Sequence, residues 1–582
     1  MCNYLHSKTH HMALNFKKED IMIIPKKILL AVLFLIISTS LCFAYDGVKK
    51  PGKLDDLFEG ANVIHYDGSK QIGINHLAYW TITNEEIDAL FEDDPKQAEV
   101  EKAKMAKLKP NNISSTLYQP NDPEYDVIPG YEVVGILTGK KGKLSWKQSI
   151  SMVIPDDWNG KLIVFGTPGT RNEYGEASLM SPWLLEMGYA TIEGDKGMPN
   201  GSTDLLNKTH LTQHWAAMMI DLAEAAQKSL KKATGMKPLY TYAAGMSNGG
   251  FQTRLALELD HARVQDGKYR LFDGGLAWSG SYYPRKEILD TNADGTVTVA
   301  EYVEHAGITL FGALNKANMI MRWAYAENSI TNPENFNLTP PFATVYDDML
   351  AIGFHPDSAQ IWGAYNSNFD FYKNYAAIPG YESYWVWAGV GYLNLTSSLY
   401  LAEARGEGVA EWLNYNYQNT STYPDAPVEP TLYAFLEANA DTLGFNQEAV
   451  DYFLKIANSA EFSVPLIEVH GTKDSLVPTN GQGVAYREAV EEFGNPELHR
   501  LYLIEDGMHV EYMVDFGRVD FDFDGNLADP AVEGEVVKTL TPMQGYAMLA
   551  MDKLEDWVEN GVVPVDSQTV ITDPVNDNVI PF

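Results

Sequence analysis

The feature that most constrains the fold is a GxSxG sequence, Gly245-Met246-Ser247-Asn248-Gly249, which joins the strand-like run PLYTYAAGM to a helical run. A serine at a sharp strand-to-helix turn has strained backbone geometry, and the glycines leave room for neighbouring strands. The turn lifts the serine hydroxyl into a cleft, and the helix that starts there aims free N–H groups at the same place. Ser247 is therefore the predicted nucleophile, and the Asn248 N–H the predicted first donor to an oxyanion.

The chain around this turn alternates β-rich runs with helical ones, which predicts a doubly wound, mostly parallel sheet of the α/β class. His214 to Lys232 has apolar residues at helical spacing and is a predicted crossover helix. The run PMQGYAMLAMDKLEDWVENG is a predicted closing helix that ends at Gly561. The other predicted strands are YEVVGILTG, WKQSISMVIP, KLIVFG, YATIEG, LFDGGLAWSG, VPLIEVHG and HRLYLIEDG.

Long stretches that break the alternation indicate additions to the sheet. Residues 282–460 are crowded with Trp and Tyr, which predicts a large lid whose aromatic side chains mostly pack it onto the core. The extension before the sheet contains an exposed-looking helix near Glu85 to Lys107. The predicted parts are a signal peptide at 1–44, an N-terminal extension at 45–125, core parts at 126–281 and 461–565, the lid at 282–460 and a C-terminal tail at 566–582.

The predicted signal peptide combines Lys26-Lys27, a long apolar run and a small residue at Ala44, after which we expect cleavage. The alternative is a membrane anchor, but the run is short for a bilayer and no basic stop-transfer cluster follows it. Both cysteines, Cys2 and Cys42, lie in this segment, so the mature chain would have no disulfide. We predict a secreted or periplasmic protein without a stable membrane anchor.

Acidic residues dominate the composition, with 78 Asp and Glu against 43 Lys and Arg and a formal net charge of −35. Such a chain repels polyphosphates at long range, so nucleic acid is not an expected partner. The excess of carboxylates serves either solubility or cation binding.

An acid and a histidine follow Ser247 in the order that a serine relay requires. Asp474 lies in the loop after VPLIEVHG, and His509 lies in the loop after HRLYLIEDG. Both loops follow strands, at the edge where open α/β sheets place their sites. His509 is the predicted general base, and Asp474 the predicted acid that orients it. His470 is the rival base and Asp506 the rival acid, although His470 at a strand end suits a structural role.

The second oxyanion donor is expected in the loop after KLIVFG, which reads Gly166-Thr167-Pro168-Gly169. Pro168 has no N–H to donate, so the prediction falls on Thr167. The alternative is that this loop is only a tight turn.

The ordered set FGTPG, GMSNGG, HGTKDSLVP and GMH resembles the α/β-hydrolase superfamily. The closer resemblance is to secreted bacterial esterases of the tannase and feruloyl esterase kind, since WVENGVVP also matches that family's terminal helix. Ala244, Met246 and Val510 stand where that family pairs cysteines. Secreted 3-hydroxybutyrate oligomer hydrolases are the next relatives that the serine motif and the large insertion resemble. The resemblance implies a serine esterase, with a calcium site in its lid.

A second motif, DTNADGTVTVAE, matches the EF-hand loop at every key position. Oxygen atoms at this spacing are typical calcium ligands, so we predict structural calcium and no redox cofactor. The alternative is a solvated acidic turn. A similar run later in the chain is a possible second site, with Asp529 or Glu533 to complete it. The predicted ligands are Asp290, Asn292, Asp294, Thr296 and Glu301 in the first loop, and Asp520, Asp522 and Asp524 in the second.

The functional prediction is hydrolysis of a carboxylic ester, aromatic or hydroxyalkanoate in type, through an acyl-enzyme. A serine peptidase is the alternative within enzymes, because the same relay cleaves amides. A non-catalytic, calcium-dependent surface or binding protein on this fold is the alternative outside them.

Overall fold

Ten strands form one sheet in the part of the chain that a computed structural model describes. The predicted signal peptide, the predicted second acidic loop and residues 303–446 of the predicted lid lie outside this part. The described residues are 47–66, 84–90, 92–96, 98–99, 102, 128–141, 144–169, 172–199, 212–298, 301–302, 447–472, 474, 477, 479–507, 509, 541–573 and 579–582.

The strands run in the spatial order β1-β2-β3-β5-β4-β6-β7-β8-β9-β10. Neighbours from β5 to β10 are parallel, whereas β1, β2 and β3 pair antiparallel at one side. Their bounds are β1 Glu59–Tyr66, β2 Gly130–Lys141, β3 Leu144–Pro155, β4 Lys161–Gly166, β5 Ala190–Gly194, β6 Tyr240–Met246, β7 Gly274–Trp278, β8 Leu466–Gly471, β9 His499–Ile504 and β10 Gln568–Val570.

The central strands are parallel, and the helices that connect them cover both faces of the sheet. Strands buried on both faces read as unbroken apolar runs, and every residue of β5, β7 and β8 is buried. Parallel order also brings the carboxyl ends of β4, β6, β8 and β9 to the same edge, where the predicted functional loops follow.

The helices connect these strands. The crossover helix α3 ends where Gly235 adopts a left-handed conformation, and the closing helix α8 ends in the same way at Gly561. Both ends agree with the sequence prediction to within a few residues. The bounds are α1 Asn84–Leu90, α2 Ala177–Glu186, α3 Trp215–Thr234, α4 Asn248–Gln265, α5 Lys286–Leu289, α6 Gln447–Lys455, α7 Ala485–Phe493 and α8 Gln544–Asn560.

Two apolar clusters lie on the two faces of the sheet. One joins α2 and α8 to side chains such as Ile163 and Phe165 of β4. The other joins α3, α4 and α6 to Tyr283 and Tyr302 at the start of the predicted lid. Burial on both faces is the main force that holds the serine-bearing turn in place.

The extension and the tail contribute more than the sequence suggested. β1 pairs with β2, and β10 pairs with β9. The helical stretch that looked exposed buries Ile87 and Ala98 in the first apolar cluster. At the chain end, Phe582 stacks on Tyr502 with ring centroids 3.9 Å apart.

The predicted α/β class is confirmed, and each predicted core strand is present. Across the described ranges, no helix has the length and apolar character needed to cross a bilayer.

Candidate active site

Ser247 occupies the turn between β6 and α4 with φ 58° and ψ −122°. Positive φ is uncommon for a residue with a side chain and marks stored backbone strain. The turn is held from the neighbouring strand, because the Ser247 N–H donates to Trp278 O at 2.8 Å. Ser247 is thus presented at the carboxyl edge of the sheet as the first residue before a helix.

The glycines around Ser247 are required by close backbone approach. A Cβ on Gly249 would overlap the carbonyl of Gly166 on β4. A Cβ on Gly245 would lie 2.6 Å from the Gly249 backbone, and one on Gly250 would lie 2.8 Å from Gly280. The sequence expectation that side chains here would collide therefore agrees with the structure.

The predicted acid and base contact each other. His509 Nδ1 lies 2.7 Å from Asp474 Oδ2, and both side chains are buried. Asp474 Oδ1 accepts a second bond from the Val477 N–H at 2.8 Å. Burial opposes ionisation of this carboxyl, but His509 and the hydrogen bonds outweigh it and lower the pKa of Asp474 below its usual value.

An ionised Asp474 can only accept, so His509 Nδ1 carries the hydrogen that joins them. His509 Nε2 is then left as the acceptor, which is the form that a general base needs. Asp474, and not the rival Asp506, holds this nitrogen.

The rival base His470 lies behind the acid. Its Nε2 is 2.8 Å from Val477 O and 3.5 Å from Asp474 Oδ2. Burial lowers the pKa of His470. The ring packs tightly against the chain, since a Cβ on Gly483 would lie 2.6 Å from its Nδ1. His470 therefore packs the acid loop from inside the protein, as the structural interpretation expected.

Ser247 and His509 lie on the same edge of the sheet, after β6 and β9. Ser279 N–H donates to Val469 O at 2.8 Å, so the end of β7 links the Ser247 turn to β8. Among the described residues, no hydrogen bond joins the Ser247 hydroxyl to the His509 imidazole. Such bonds are often long before substrate binds.

The two predicted oxyanion donors differ in their surroundings. Asn248 is the first residue of α4, and its side-chain Nδ2 donates to Gly169 O at 3.5 Å. The Thr167 N–H instead donates to Gln252 Oε1 at 3.2 Å. Thr167 must therefore give up this bond to serve an oxyanion. The Gly169 N–H donates to no described residue and is a second candidate on the same loop.

A buried ion pair that was not predicted from the sequence joins α4, the helix after the predicted nucleophile, to β8, the strand before the predicted acid. Arg254 on α4 donates to both carboxylate oxygens of Glu468 on β8 at 2.6 Å. Arg254 also donates to Gly280 O and Ser281 O at 3.1 and 3.0 Å. The sequence contains a signal for this pair, because Glu468 is the one acidic residue within the apolar run LIEVHG. Arg254 follows Ser247 by seven residues, on the helix that starts after it.

The EF-hand-like loop is ordered by its own hydrogen bonds. Asp290 accepts from the Gly295 N–H at 2.8 Å, and Gly295 has φ 86°. Glu301 accepts from Thr298 N–H and Asn292 Nδ2, each at 2.8 Å. Bonds from Thr298, the largest cause, lower the pKa of Glu301 to about 2.

The donor chemistry of this loop suits calcium, since it offers carboxylate, amide and carbonyl oxygens at the usual spacing. In the ranges that the structure covers, however, no three acidic or histidine side chains converge as a metal cluster. Glu301 would exchange its present bonds for the ion. Asp520, Asp522 and Asp524 lie outside the described residues.

A parallel sheet with helices on both faces and a serine on a strained strand-to-helix turn defines the α/β-hydrolase fold. This chain has that fold, as its sequence resemblance indicated.

No family model matches the sequence, and no curated protein matches it. Solved structures similar to it include feruloyl esterase B from Aspergillus oryzae, at 14% identity over 78% of this chain and 85% of that one, with a TM-score of 0.38. A tannin acyl hydrolase from Aspergillus niger is 14% identical over 77% and 81%, with a TM-score of 0.38. The rice cell wall degrading esterase LipA from Xanthomonas oryzae is 15% identical over 64% and 82%, with a TM-score of 0.32.

Proposed function

We propose that this protein is a serine hydrolase that cleaves carboxylic esters through an acyl-enzyme intermediate. The observation that carries the proposal is the 2.7 Å bond between Asp474 and His509, on the sheet edge that also presents the strained Ser247. A buried carboxylate that orients an imidazole on the sheet edge that also carries a serine is the arrangement that activates a hydroxyl.

In the proposed reaction, Ser247 Oγ attacks the ester carbonyl while His509 Nε2 takes its proton. Asp474 stabilises the imidazolium that forms. The carbonyl oxygen becomes an oxyanion that accepts from the Asn248 N–H and from a donor on the loop after β4. The tetrahedral intermediate expels the alcohol, which receives the proton from His509. A water molecule then releases the acid by the same steps and restores Ser247.

Labelling by a fluorophosphonate probe tests this proposal, because only an activated serine reacts with it. The wild-type chain should label and should hydrolyse small aryl esters, whereas Ser247→Ala should do neither. We expect the turnover number to fall by about 10⁶. Melting temperature should change little.

Ser279→Ala is the matched control for this experiment. Ser279 follows β7 as Ser247 follows β6, is buried, and has a positive φ of 44°, but no helix starts after it. The control should label and turn over like wild type. Labelling that survives Ser247→Ala would identify a different nucleophile, and an unlabelled wild type would favour the non-catalytic binding protein.

We propose that the substrates are aromatic, hydroxycinnamoyl or hydroxyalkanoate esters. Turnover of feruloyl, galloyl, aryl and hydroxybutyrate esters, each beside its matched amide, separates this proposal from a peptidase. We expect the esters to be hydrolysed and the matched amides to be left intact. Measurable cleavage of the amides would favour the peptidase alternative, because a serine peptidase cleaves both esters and amides.

We further propose that loop 290–301 binds calcium in a structural role. Added calcium should raise the melting temperature of the full chain, and a chelator should reverse this. Glu301→Gln should abolish the response. Glu287→Gln, a nearby exposed carboxylate on α5, is the control and should retain it. Equilibrium dialysis giving two ions per chain would support the second acidic loop as well.

Export is proposed from the sequence alone. Mass spectrometry of the mature protein should find Tyr45 at its N-terminus. Retention of residues 1–44 in a membrane fraction would support the anchor alternative.

A further inference from the structure

Lys196 follows β5 and is buried, with only 1% of its surface exposed. Its ammonium donates to Thr167 O at 2.6 Å and to Gly169 O at 2.7 Å. The same group lies 4.2 Å from the centre of the Trp215 ring. Lys196 therefore makes direct contact with the loop that follows β4.

Two features make Lys196 costly to the fold. A buried ammonium loses its hydration and persists only when hydrogen-bond acceptors or opposite charges compensate it. Its backbone also has a φ of 55°, which side-chain-bearing residues rarely adopt. Strained and buried polar residues of this kind cluster where a fold must hold a functional part.

The strained conformation is fixed by the turn around Lys196. Asp195 Oδ1 accepts from the Gly197 N–H at 2.8 Å, and the Met198 N–H donates to Asp195 O at 3.0 Å. This turn directs the lysine side chain inward, toward the loop after β4.

That loop packs directly against the serine turn. Gly249, two residues after Ser247, lies so close to the Gly166 carbonyl that no Cβ fits between them. Thr167 O and Gly169 O flank Pro168, so a single ammonium holds the carbonyls on both sides of it. Lys196 therefore binds the loop on both sides of Pro168, next to the backbone that packs against the serine turn.

We infer that Lys196 is a positioning residue that fixes the oxyanion loop, by binding the carbonyls of Thr167 and Gly169. The inference rests on the proposed function. Oxyanion donors must lie about 2.7–3.1 Å from the position that the oxyanion will occupy, and a displacement of about 1 Å costs about 100-fold in rate. Loss of the ammonium would leave the buried Thr167 carbonyl and the half-buried Gly169 carbonyl without this donor, and the loop would shift as they turn to other donors.

The test compares Lys196→Met and Lys196→Arg with wild type in the full chain. We measure kcat and KM for an aryl ester, the inhibition constant of a phenylboronic acid that forms a tetrahedral adduct with serine, and the melting temperature. Lys196→Met should lower kcat by about 10- to 100-fold and weaken boronate binding by a similar factor, while KM stays within about threefold. Lys196→Arg, which keeps charge and donors, should recover at least part of kcat.

Lys161→Met is the matched control. Lys161 opens β4 at the opposite edge of the sheet and pairs with Glu559 at 2.9 Å. The control should lower the melting temperature and leave kcat and boronate binding unchanged.

A Lys196→Met protein with wild-type kcat would overturn the inference, and so would one whose loss of kcat is explained by its unfolded fraction. Neither result would affect the proposed function, which Ser247→Ala tests separately. Should Lys196→Met fail to fold, Lys196→Gln must show the same loss in kcat without change in KM. If the wild type neither labels nor hydrolyses any ester, the proposed function and the inference both fail.

Discussion

The two sides of the candidate site are held in place by different kinds of contact. On the nucleophile side, which comprises Ser247, its glycines and Gly166 at the end of β4, backbone packs on backbone with no room for a methyl group. On the relay side, which comprises Asp474, His509 and His470, hydrogen bonds hold the side chains, from His509 Nδ1 to Asp474 and between His470 Nε2 and Val477 O. Sterics therefore dominate one side and electrostatics the other.

This difference predicts which substitutions each side tolerates. An isosteric change of charge should harm the relay side and spare the fold. An added methyl group should harm the nucleophile side through packing, whatever its polarity. The predictions below test that division, in order of expected effect.

Asp474→Asn should have the largest effect. The amide keeps the shape of the acid but cannot hold His509 in the tautomer that leaves Nε2 free, so kcat should fall by about 10⁴, equivalent to about 5.5 kcal/mol. Steady-state kinetics on an aryl ester measures this, with Asp506→Asn as the control. Wild-type kcat in Asp474→Asn would show that the relay side does not depend on Asp474.

Arg254→Met should have the next largest effect, because it breaks the ion pair with Glu468 that joins the two sides. Glu468 would be left buried without its arginine, and the free energy of unfolding should fall by about 3–5 kcal/mol. Denaturant unfolding measures the loss. The double variant Arg254→Met with Glu468→Leu should recover most of it, and a double variant as unstable as the single one would exclude a charge-based tie.

Gly249→Ala tests the steric side. Its methyl group would overlap the Gly166 carbonyl, so unfolding free energy should fall by about 1–3 kcal/mol, and kcat should fall with the displaced loop. Gly52→Ala, where a Cβ meets nothing within 4 Å, is the control for the substitution itself. Wild-type stability and wild-type kcat in Gly249→Ala would contradict the steric explanation of the nucleophile side.

His470→Gln tests the relay side through the change of stability with pH, which is the smallest of the expected effects. Burial lowers the pKa of His470, so the folded protein resists protonation while the unfolded chain accepts a proton near its usual pKa of about 6.5. The contribution of His470 to stability is thus present above about pH 6.5 and is lost as pH falls further. One proton sets an upper slope of about 1.4 kcal/mol per pH unit.

Unfolding free energy measured between pH 5 and 8 checks this expectation. Wild type should lose more stability toward pH 5 than His470→Gln does, whereas Gly249→Ala should keep the wild-type slope. Parallel curves for all three proteins would contradict the electrostatic description of the relay side.

Much of the fold could be read from the sequence because its signals are local. Buried parallel strands appear as apolar runs, helix ends as glycines such as Gly235 and Gly561, and the serine turn as GxSxG between a strand and a helix. The positions of Asp474 and His509 followed from strand order, since loops after neighbouring strands meet at one edge.

Only the tertiary structure decided which groups are partners. His470 and His509 each follow an apolar run, yet the fold gives His509 Nδ1 the close bond to Asp474 and packs His470 behind it. The Thr167 N–H looked free in the sequence, but Gln252, far along the chain, accepts it. Nothing around Lys196 in sequence points to the carbonyls it holds.

The physical reason is the range over which each interaction is encoded. Backbone conformation and burial periodicity depend on residues within a few positions of one another, so the sequence determined the elements and the edge where chemistry would gather. Hydrogen bonds and ion pairs join atoms separated by up to hundreds of residues, so only the packed chain determines which donor meets which acceptor.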